Sequence, residues 1–457
     1  MSVLDARKQP SAARRRKHGV PGSGSRDPIG YAVAALNRIS RTPALDRLRL
    51  RKPTERAVFE ATRTGFRTLG ALNRQFARVG SRCGQPARTR PAQGGNRFDL
   101  TPTDDEQMLV TVARELATEV IRPAAAEADR AAQPPGEVLA RAAELGLPTL
   151  GVREELGGIA AERSATAGVL VTEALATGDM GLTVACLAPG AVATALSLWG
   201  SAEQQATYLP AFTGGDVPAA ALALAEPRPL FDPMAPATTA APDGDGYRLN
   251  GVKSMVPMGA AAELFVVGAV LDGTPRLFLV ESGSEGVEIE ADPSMGLRAA
   301  ALSRLVLSDV RTDALAPLGD AAAYRDCVRL SRLGSCALAV GAAQAVLDHV
   351  VPYVNEREAF GEPISHRQSV AFMVANIGIE LQGMRLVTYR AASRAAQGLP
   401  FDREVALARR LCTDKGMQIG TDGVQLLGGH GFVTEHPVER WYRDLRAIGV
   451  LEGGVLV

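Results

Sequence analysis

The stretch that decides the fold is Gly428-Gly-His-Gly-Phe-Val-Thr-Glu-His-Pro-Val-Glu-Arg-Trp-Tyr-Arg-Asp-Leu-Arg-Ala-Ile-Gly-Val-Leu-Glu-Gly-Gly-Val-Leu-Val457. Its glycine pair, Gly428 and Gly429, allows the backbone to approach a ligand closely. One carboxylate, Glu452, stands in an apolar tail. Aliphatic neighbours strip a carboxylate of water, which makes Glu452 a candidate general base. The alternative is an exposed side chain in a frayed tail.

A second stretch, Asn355-Glu-Arg-Glu-Ala-Phe-Gly-Glu-Pro-Ile-Ser-His-Arg-Gln368, precedes the first by about sixty residues. Together the two stretches resemble the signature of the acyl-CoA dehydrogenases. The matching elements are R-x-x-F-G-x-P-I-x-x-x-Q, Q-x-x-G-G-x-G-F, P-x-E-R-x-x-R-D and a final E-G. The resemblance runs from about Leu100 to Val457 and leaves the preceding residues uncovered.

The resemblance implies that the protein oxidises an acyl-CoA thioester with FAD as the hydride acceptor, and that it contains no metal. Glu452 matches the base that removes the α-proton. Some relatives place the base immediately before the arginine that is Arg332 here, but this sequence has Ser331 there. Arg332 matches a substrate-side arginine near CoA. The positions that match FAD-contacting residues are Arg357, Phe360, Gln368, Gln425, Gly428, Gly429 and Ala225.

Three departures affect the flavin side of the implied site. The family's T-E-P-G-x-G-S-D is replaced by Ala225-Glu-Pro-Arg-Pro-Leu-Phe-Asp232, and its W-I-T by Met255-Val-Pro257. The final E-G-T becomes Glu452-Gly-Gly454. These changes remove hydroxyl groups and a ring-packing tryptophan. A non-catalytic subunit, or a subunit whose partner completes the site, therefore remains an alternative to an active dehydrogenase.

The sequence predicts a mainly α protein with a central β domain, which is also the acyl-CoA dehydrogenase architecture. With 457 residues, 46% of them hydrophobic, the chain can bury several cores. Helical periodicity predicts an N-terminal helical domain over 99–213. Short apolar runs with turn signals predict an antiparallel β domain over 214–318. Long helical segments predict a four-helix bundle over 319–457.

Two prolines within apolar segments are expected to interrupt helices. Gly181 to Trp199 carries no charge, but Pro189 should divide it into buried helices rather than a membrane span. Pro352 should end the first helix of the bundle. In the β domain, the run Asp243-Gly-Asp-Gly246 predicts a hairpin turn.

Residues 1–98 differ from the remainder in charge. They contain 22 of the 50 Lys and Arg but only 5 of the 50 Asp and Glu, so the rest of the chain is acidic by 17. The first 28 residues predict disorder, and a basic amphipathic helix follows between Pro53 and Val79. Such a helix could contact an anionic membrane surface, nucleic acid, a partner or its own protein. A nucleic-acid-associated family member is thus a third alternative.

Further expectations concern partners and location. The resemblance implies an electron-transferring flavoprotein or a similar acceptor, and a homodimer or homotetramer, with a hetero-oligomer as the alternative. The five cysteines are widely spaced and form no C-x-x-C pair, which favours reduced thiols in a cytoplasmic protein. We expect no secretory signal, and the basic helix leaves a peripheral membrane location open.

We predict that residues 1–95 are dispensable for catalysis, because nothing in them matches the catalytic family. A truncated protein beginning at Asn96 should fold and oxidise acyl-CoA at a rate close to that of the full chain. Circular dichroism and dye-linked turnover check this. A folded truncated protein without activity would contradict the prediction.

Overall fold

The computed structural model describes residues 102–159, 163–214, 216–312 and 317–457. Predictions for residues 1–98, including the basic amphipathic helix, lie outside the described residues. The described part is helical, then β, then helical, which confirms the predicted fold class.

The N-terminal helical part opens with a capping box. Thr103 Oγ1 accepts a hydrogen bond from Glu106 N at 3.2 Å, and the Glu106 carboxylate accepts one from Thr103 N at 3.0 Å. The helix that follows continues through a π-helical turn at Ala117–Ile121. The helices of this part are α1 Asp104–Leu116, α2 Arg122–Ala131, α3 Gly136–Glu144, α4 Ala165–Ala176, α5 Met180–Trp199 and α6 Ala202–Phe212.

Helix α5 is continuous, so the predicted interruption at Pro189 is wrong. Proline removes one backbone hydrogen bond and crowds the preceding turn, at a cost of about 3 kcal/mol. Nearly every residue of α5 is buried, and that burial outweighs the loss. The Asp179 carboxylate caps the helix by accepting a hydrogen bond from Leu182 N at 2.9 Å.

The β domain is one seven-stranded sheet in the order β1-β4-β2-β3-β7-β6, with β5 also paired to β4. Strands β2 and β3 form the predicted hairpin, in which Asp243 pairs with Gly246. The sheet is mixed rather than wholly antiparallel, because β1 and β2 both run parallel to β4. Its strands are β1 Ala220–Ala223, β2 Thr239–Asp243, β3 Gly246–Val256, β4 Leu264–Leu271, β5 Thr274–Glu281, β6 Val287–Ala291 and β7 Ser303–Thr312.

The C-terminal bundle is built on α7, Ala321–Glu356, which passes through Pro352 and ends one turn later. The predicted break at Pro352 is therefore early by one turn, because solvent satisfies the freed carbonyl group of an exposed helix end. A small hairpin, β8 Glu358–Ala359 and β9 Glu362–Pro363, links α7 to α8. The remaining helices are α8 Gln368–Ala396, α9 Asp402–Leu427 and α10 Val438–Ala447.

The Glu-Arg-x-x-Arg-Asp run lies on α10 and holds the domains together. Arg440 Nε donates to the buried Asp179 carboxylate at 2.9 Å. Arg443 pairs with Asp129 through two bonds of 2.9 and 2.8 Å. Asp444 accepts a hydrogen bond from Leu297 N at 2.6 Å. One short helix thus reaches both the N-terminal helices and the β domain.

Three helices in the described part are long and apolar enough to span a membrane by length and composition, namely α5, α7 and α8. In α5 and α7 the apolar window is 89% and 83% buried inside the protein. In α8 the buried share is only 17%. Helices α5 and α7 are therefore core helices, as predicted for Gly181 to Trp199, whereas α8 presents an apolar face outward.

We predict that Arg440→Met lowers the free energy of unfolding by roughly 3 to 5 kcal/mol, because it leaves the Asp179 carboxylate buried without its partner. The matched control is Arg141→Met, which removes an exposed pair with Glu144 and should cost less than about 1 kcal/mol. Urea denaturation measures both. Equal losses in the two variants would contradict the assignment of Arg440 as a buried clamp.

Candidate active site

Glu452 is 8% exposed and is held by two arginines. Arg332 on α7 forms a bidentate pair with it: Nε lies 3.1 and 3.0 Å from the two carboxylate oxygens, and Nη2 lies 2.8 Å from Oε1. Arg409 on α9 donates from Nη2 to the same Oε1 at 3.3 Å. Burial lowers the pKa of Arg332, but the hydrogen bonds and charge of Glu452 outweigh it and the pKa is raised.

The backbone around Glu452 is fixed as well. Gly453 N donates to the buried Ser331 hydroxyl at 2.9 Å, and Arg409 Nη2 donates to Leu451 O at 2.8 Å. Ser331, which takes the place of an alternative base, thus positions the residue after Glu452. Arg409 Nη1 is buried and has no hydrogen-bond partner among the described residues. A buried donor without a partner marks a place where a ligand atom could accept a bond.

The aliphatic neighbours predicted for Glu452 are not its only surroundings. Two guanidinium groups face the carboxylate and supply the charged hydrogen-bond donors that a buried carboxylate requires. Arg332 pairs with Glu452 itself in this state, rather than standing free for CoA. Both residues were predicted as site residues, and the structure brings them together.

Arg409 is a residue of this cluster that the sequence patterns did not predict. The sequence does contain a signal for a buried arginine. Arg409 lies four residues after the buried Val405 and three before the buried Cys412, which puts it on the same face of the helix. An arginine on the apolar face of a helix requires a buried partner. Its partner, Glu452, lies 43 residues further along the chain. The sequence could therefore have indicated that Arg409 needs a buried partner, but not that this partner is Glu452.

Ala225 and Met255 stand where the resemblance places the flavin ring. Ala225 is buried, and its carbonyl accepts a hydrogen bond from Ser254 N at 3.0 Å. The Asp292 carboxylate accepts from Ser254 Oγ at 2.6 Å and from Met255 N at 2.9 Å. These bonds hold Met255 at φ 54°, which is unusual for a residue other than glycine. Ala225 and Met255 thus form an ordered surface, here called the β-domain wall. Its polar groups already form hydrogen bonds within the chain.

A buried ion pair supports the same wall. Lys253 is fully buried, and its ammonium donates to the Glu226 carboxylate at 3.0 Å. Burial lowers the pKa of Lys253 to about 8, although the charge of Glu226 opposes this shift. Glu226 also accepts bonds from Ala237 N and Thr238 N. The Glu of the Ala225-Glu-Pro motif is thus structural, and it fixes the loop between β1 and β2.

The other predicted cofactor residues lie at the far end of the bundle. There α7 ends, α8 begins and α9 ends, and Tyr353 links them because its hydroxyl lies 2.9 Å from His430 Nδ1. Phe360 is 96% exposed, and Gly428 adopts φ 58° with open space beside it. The residues of this end that are exposed are Arg357, Phe360, Gln368, Gln425, Gly428 and Gly429. Among the described residues, Arg357 has no carboxylate partner for its guanidinium.

One chain therefore contains two separate groups of predicted site residues. Arg332 and Arg357 are 25 positions apart on or at the end of α7, which corresponds to about 37 Å along a helix axis. Glu452, Arg332 and the β-domain wall belong to one group. The exposed bundle end belongs to the other. The structure does not bring the two groups together within one chain.

Sequence profiles of one family match most of the chain. The profile described as "Acyl-CoA dehydrogenase, N-terminal domain" matches residues 103–216. The middle-domain profile matches 221–310, and the C-terminal-domain profile matches 322–454. The three matches follow the order of the helical, β and helical parts.

Two relatives illustrate the similarity in sequence. The chain is 31% identical over 363 residues to 3-(aryl)acrylate reductase of Clostridium sporogenes, covering 77% of this chain and 95% of that protein. It is 32% identical over 360 residues to the mitochondrial short-chain specific acyl-CoA dehydrogenase of Mus musculus, covering 77% and 87%.

Two solved structures show the similarity in fold. A glutaryl-CoA dehydrogenase from Mycobacterium smegmatis in complex with FADH2 matches with TM-score 0.70 and 26% identity, over 76% of this chain and 90% of that one. A structure named for the electron transferring flavoprotein of Acidaminococcus fermentans matches with TM-score 0.71 and 29% identity, over 77% and 95%. In sequence and in fold, the chain belongs to the acyl-CoA dehydrogenase family.

Proposed function

We propose that this protein is an FAD-dependent acyl-CoA dehydrogenase in which Glu452 removes the α-proton of an acyl-CoA thioester. The observation that carries the proposal is the buried Glu452 carboxylate, paired with Arg332 and Arg409, next to Gly453, on which a β-carbon would lie 3.4 Å from Leu222 O of the β domain. A general base must be desolvated and held in position, and this arrangement buries Glu452 and fixes it between two guanidinium groups. The family membership supplies the reaction type.

The residues of the chain fit an FAD molecule at two places. The exposed guanidinium of Arg357 suits a pyrophosphate, and the open backbone at Gly428 and Gly429 suits close approach of the dinucleotide. The apolar wall at Ala225 and Met255 suits the flavin ring. When bound, FAD supplies the acceptor for the hydride that leaves the β-carbon.

The chain's own groups perform the proton step. Glu452 accepts the α-proton, and its carboxylate must turn from Arg332 toward the substrate to do so. Arg409 also holds the Leu451 carbonyl, so it retains the tail while Arg332 is released. The released Arg332 can pair with an anionic part of the substrate, which agrees with its predicted position near CoA. The buried surroundings exclude water from the carboxylate.

Two copies of the chain are needed to complete one site in this proposal. The bundle end lies about 37 Å from Arg332 along α7, and this separation supports the proposal that Arg357 serves the flavin of a neighbouring copy. Helix α8 offers a packing surface, because Phe372, Ile379 and Leu386 are 59%, 68% and 47% exposed at seven-residue spacing. We propose a homodimer or homotetramer formed through this face.

Two further proposals concern the electron acceptor and the compartment. An electron-transferring flavoprotein or a similar protein would reoxidise the flavin, and the similarity to the structure named for the Acidaminococcus flavoprotein supports this proposal. Four cysteines in the described part are free and buried, which suits a reducing compartment such as the cytoplasm.

The second candidate function is a non-catalytic or partner-completed subunit. It is favoured by the flavin-side wall, where the groups at Ala225 and Met255 are satisfied within the chain and the family's hydroxyls and tryptophan are replaced. The Clostridium relative is named a reductase rather than a dehydrogenase, so proteins related to this chain are named for different reactions. Bleaching of bound flavin by an acyl-CoA distinguishes an active dehydrogenase from a silent subunit.

Salt-sensitive binding to nucleic acid would support the third alternative, a nucleic-acid-associated family member.

We predict that Arg357→Ala lowers flavin occupancy and weakens the oligomer, because it removes the charge that would pair with a neighbouring copy's pyrophosphate. Absorbance at the flavin peak, together with light scattering, measures both properties. Arg410→Ala is the matched control, since Arg410 is 79% exposed in a local pair with Asp414 and should leave both unchanged. Full occupancy in Arg357→Ala would contradict the assigned role.

We predict that Glu452→Gln retains the fold and bound flavin but slows reduction by acyl-CoA by about 10² to 10⁴, because an amide cannot accept the proton. Stopped-flow absorbance measures the rate. Glu404→Gln is the matched control, since Glu404 is also shielded from solvent and faces two arginines, Arg390 and Arg394. A near-parent rate in Glu452→Gln would favour the non-catalytic subunit.

A further inference from the structure

The chain beyond Glu452 turns inward. Gly453 and Gly454 adopt φ values of 90° and 93°, which favour glycine, and they direct the backbone between the β domain and the helices. The residues that follow, Val455–Val457, form the tail segment and are 2%, 8% and 4% exposed. The three aliphatic side chains that follow Gly454, just beyond the candidate base, are thus all buried.

Glycines on two helices make room for the tail segment. A β-carbon on Gly334 of α7 would lie 3.1 Å from Val455 and 3.2 Å from Val457. A β-carbon on Gly168 of α4 would lie 3.1 Å from Val457. Leu456 packs elsewhere, in the apolar cluster that includes Val192 of α5. The tail segment therefore fills a channel between α4, α5 and α7.

Little space is left around the tail segment. The cavity that it lines together with Leu187, Gly190 and Thr194 of α5 measures about 20 Å³. This volume is enough for about one water molecule. The guanidinium of Arg163 also donates to the carbonyl of Val457 and ties the segment down. A chain of several methylene groups cannot enter while the segment is in place.

The direction of this channel matters for the substrate. The carboxylate oxygens of Glu452 face the charged Arg332 and Arg409, which would not accept a hydrocarbon chain. The channel begins close to Glu452: Leu451 is buried, and a β-carbon on Gly454, the second residue after Glu452, would lie 3.6 Å from Val184 of α5 and 3.9 Å from Pro257 of the β domain. An acyl chain whose α-carbon lies at Glu452 would extend along this channel.

We propose that the tail segment determines acyl-chain length by occupying the channel beyond Glu452, so that the protein accepts short acyl-CoA thioesters and rejects long ones. This inference rests on the proposed function, because it assumes that an acyl-CoA binds with its α-carbon at Glu452. Rejection is steric: each methylene group beyond a short chain meets Val455, Leu456 or Val457. One methylene group in a closed apolar site changes binding by about tenfold or more.

Calorimetric titration of the full chain with butyryl-CoA and octanoyl-CoA tests the proposal without requiring turnover. The parent protein should bind butyryl-CoA at least about tenfold more tightly than octanoyl-CoA. The triple variant Val455→Ala/Leu456→Ala/Val457→Ala should raise the relative affinity for octanoyl-CoA by about tenfold or more. The control is Val350→Ala, which shortens a buried residue at the far end of α7 and should leave the ratio unchanged.

The outcomes separate this proposal from the proposed function. If butyryl-CoA binds but the triple variant keeps the parent ratio, the tail proposal falls and the proposed function stands. If neither thioester binds either protein, both fall. If the triple variant does not fold, Leu456→Ala alone should shift the ratio in the same direction. A parent protein that binds octanoyl-CoA as tightly as butyryl-CoA overturns the tail proposal by itself.

Discussion

The ion pairing of Glu452 is the interaction on which the site depends. A carboxylate that is 8% exposed must be paired or protonated, because its desolvation in an apolar interior is costly. Here Arg332 on α7 and Arg409 on α9 both reach it, and Arg409 also binds the backbone of Leu451. The same contacts that pair the Glu452 carboxylate therefore fix the tail against two helices of the bundle. The candidate base and the tail are thus held by the same pair of arginines.

Buried ion pairs and a hydrogen bond also join the N-terminal helices, the β domain and the C-terminal bundle. Arg440 and Arg443 on α10 pair with Asp179 and Asp129 of the N-terminal helices, and Asp444 binds the backbone at Leu297. Removing one partner of such a buried pair leaves an uncompensated charge, so the pairs specify which surfaces of the parts face one another. The position of Glu452 relative to the β-domain wall is thereby set. A sequence motif that resembles part of an active site acts here as a structural clamp.

The length of α7 divides the site between its two ends. One end carries Arg332 and meets the candidate base, and the other carries Arg357 and meets the exposed turn at Gly428. Because a helix is stiff over this length, the two ends cannot converge on one ligand within one chain. The exposed apolar stripe of α8 is consistent with a second copy that brings the opposite ends together. The stiffness of α7 therefore supports the proposed oligomer, in which a second copy supplies the opposite end of the helix.

The sequence by itself determined the order of the helical and β parts and the hairpin at Asp243 to Gly246, and it singled out Glu452 and Arg332 as candidate site residues. These features depend on local periodicity, turn chemistry and ordered motifs, which neighbouring residues encode. Only the tertiary structure decided that α5 passes through Pro189, that β1 and β2 run parallel to β4, and that Arg409 pairs with Glu452. Burial and pairing across long chain separations override local preference, and a linear pattern does not contain them. The inward course of Val455–Val457 was decided in the same way, since it depends on space that distant glycines provide.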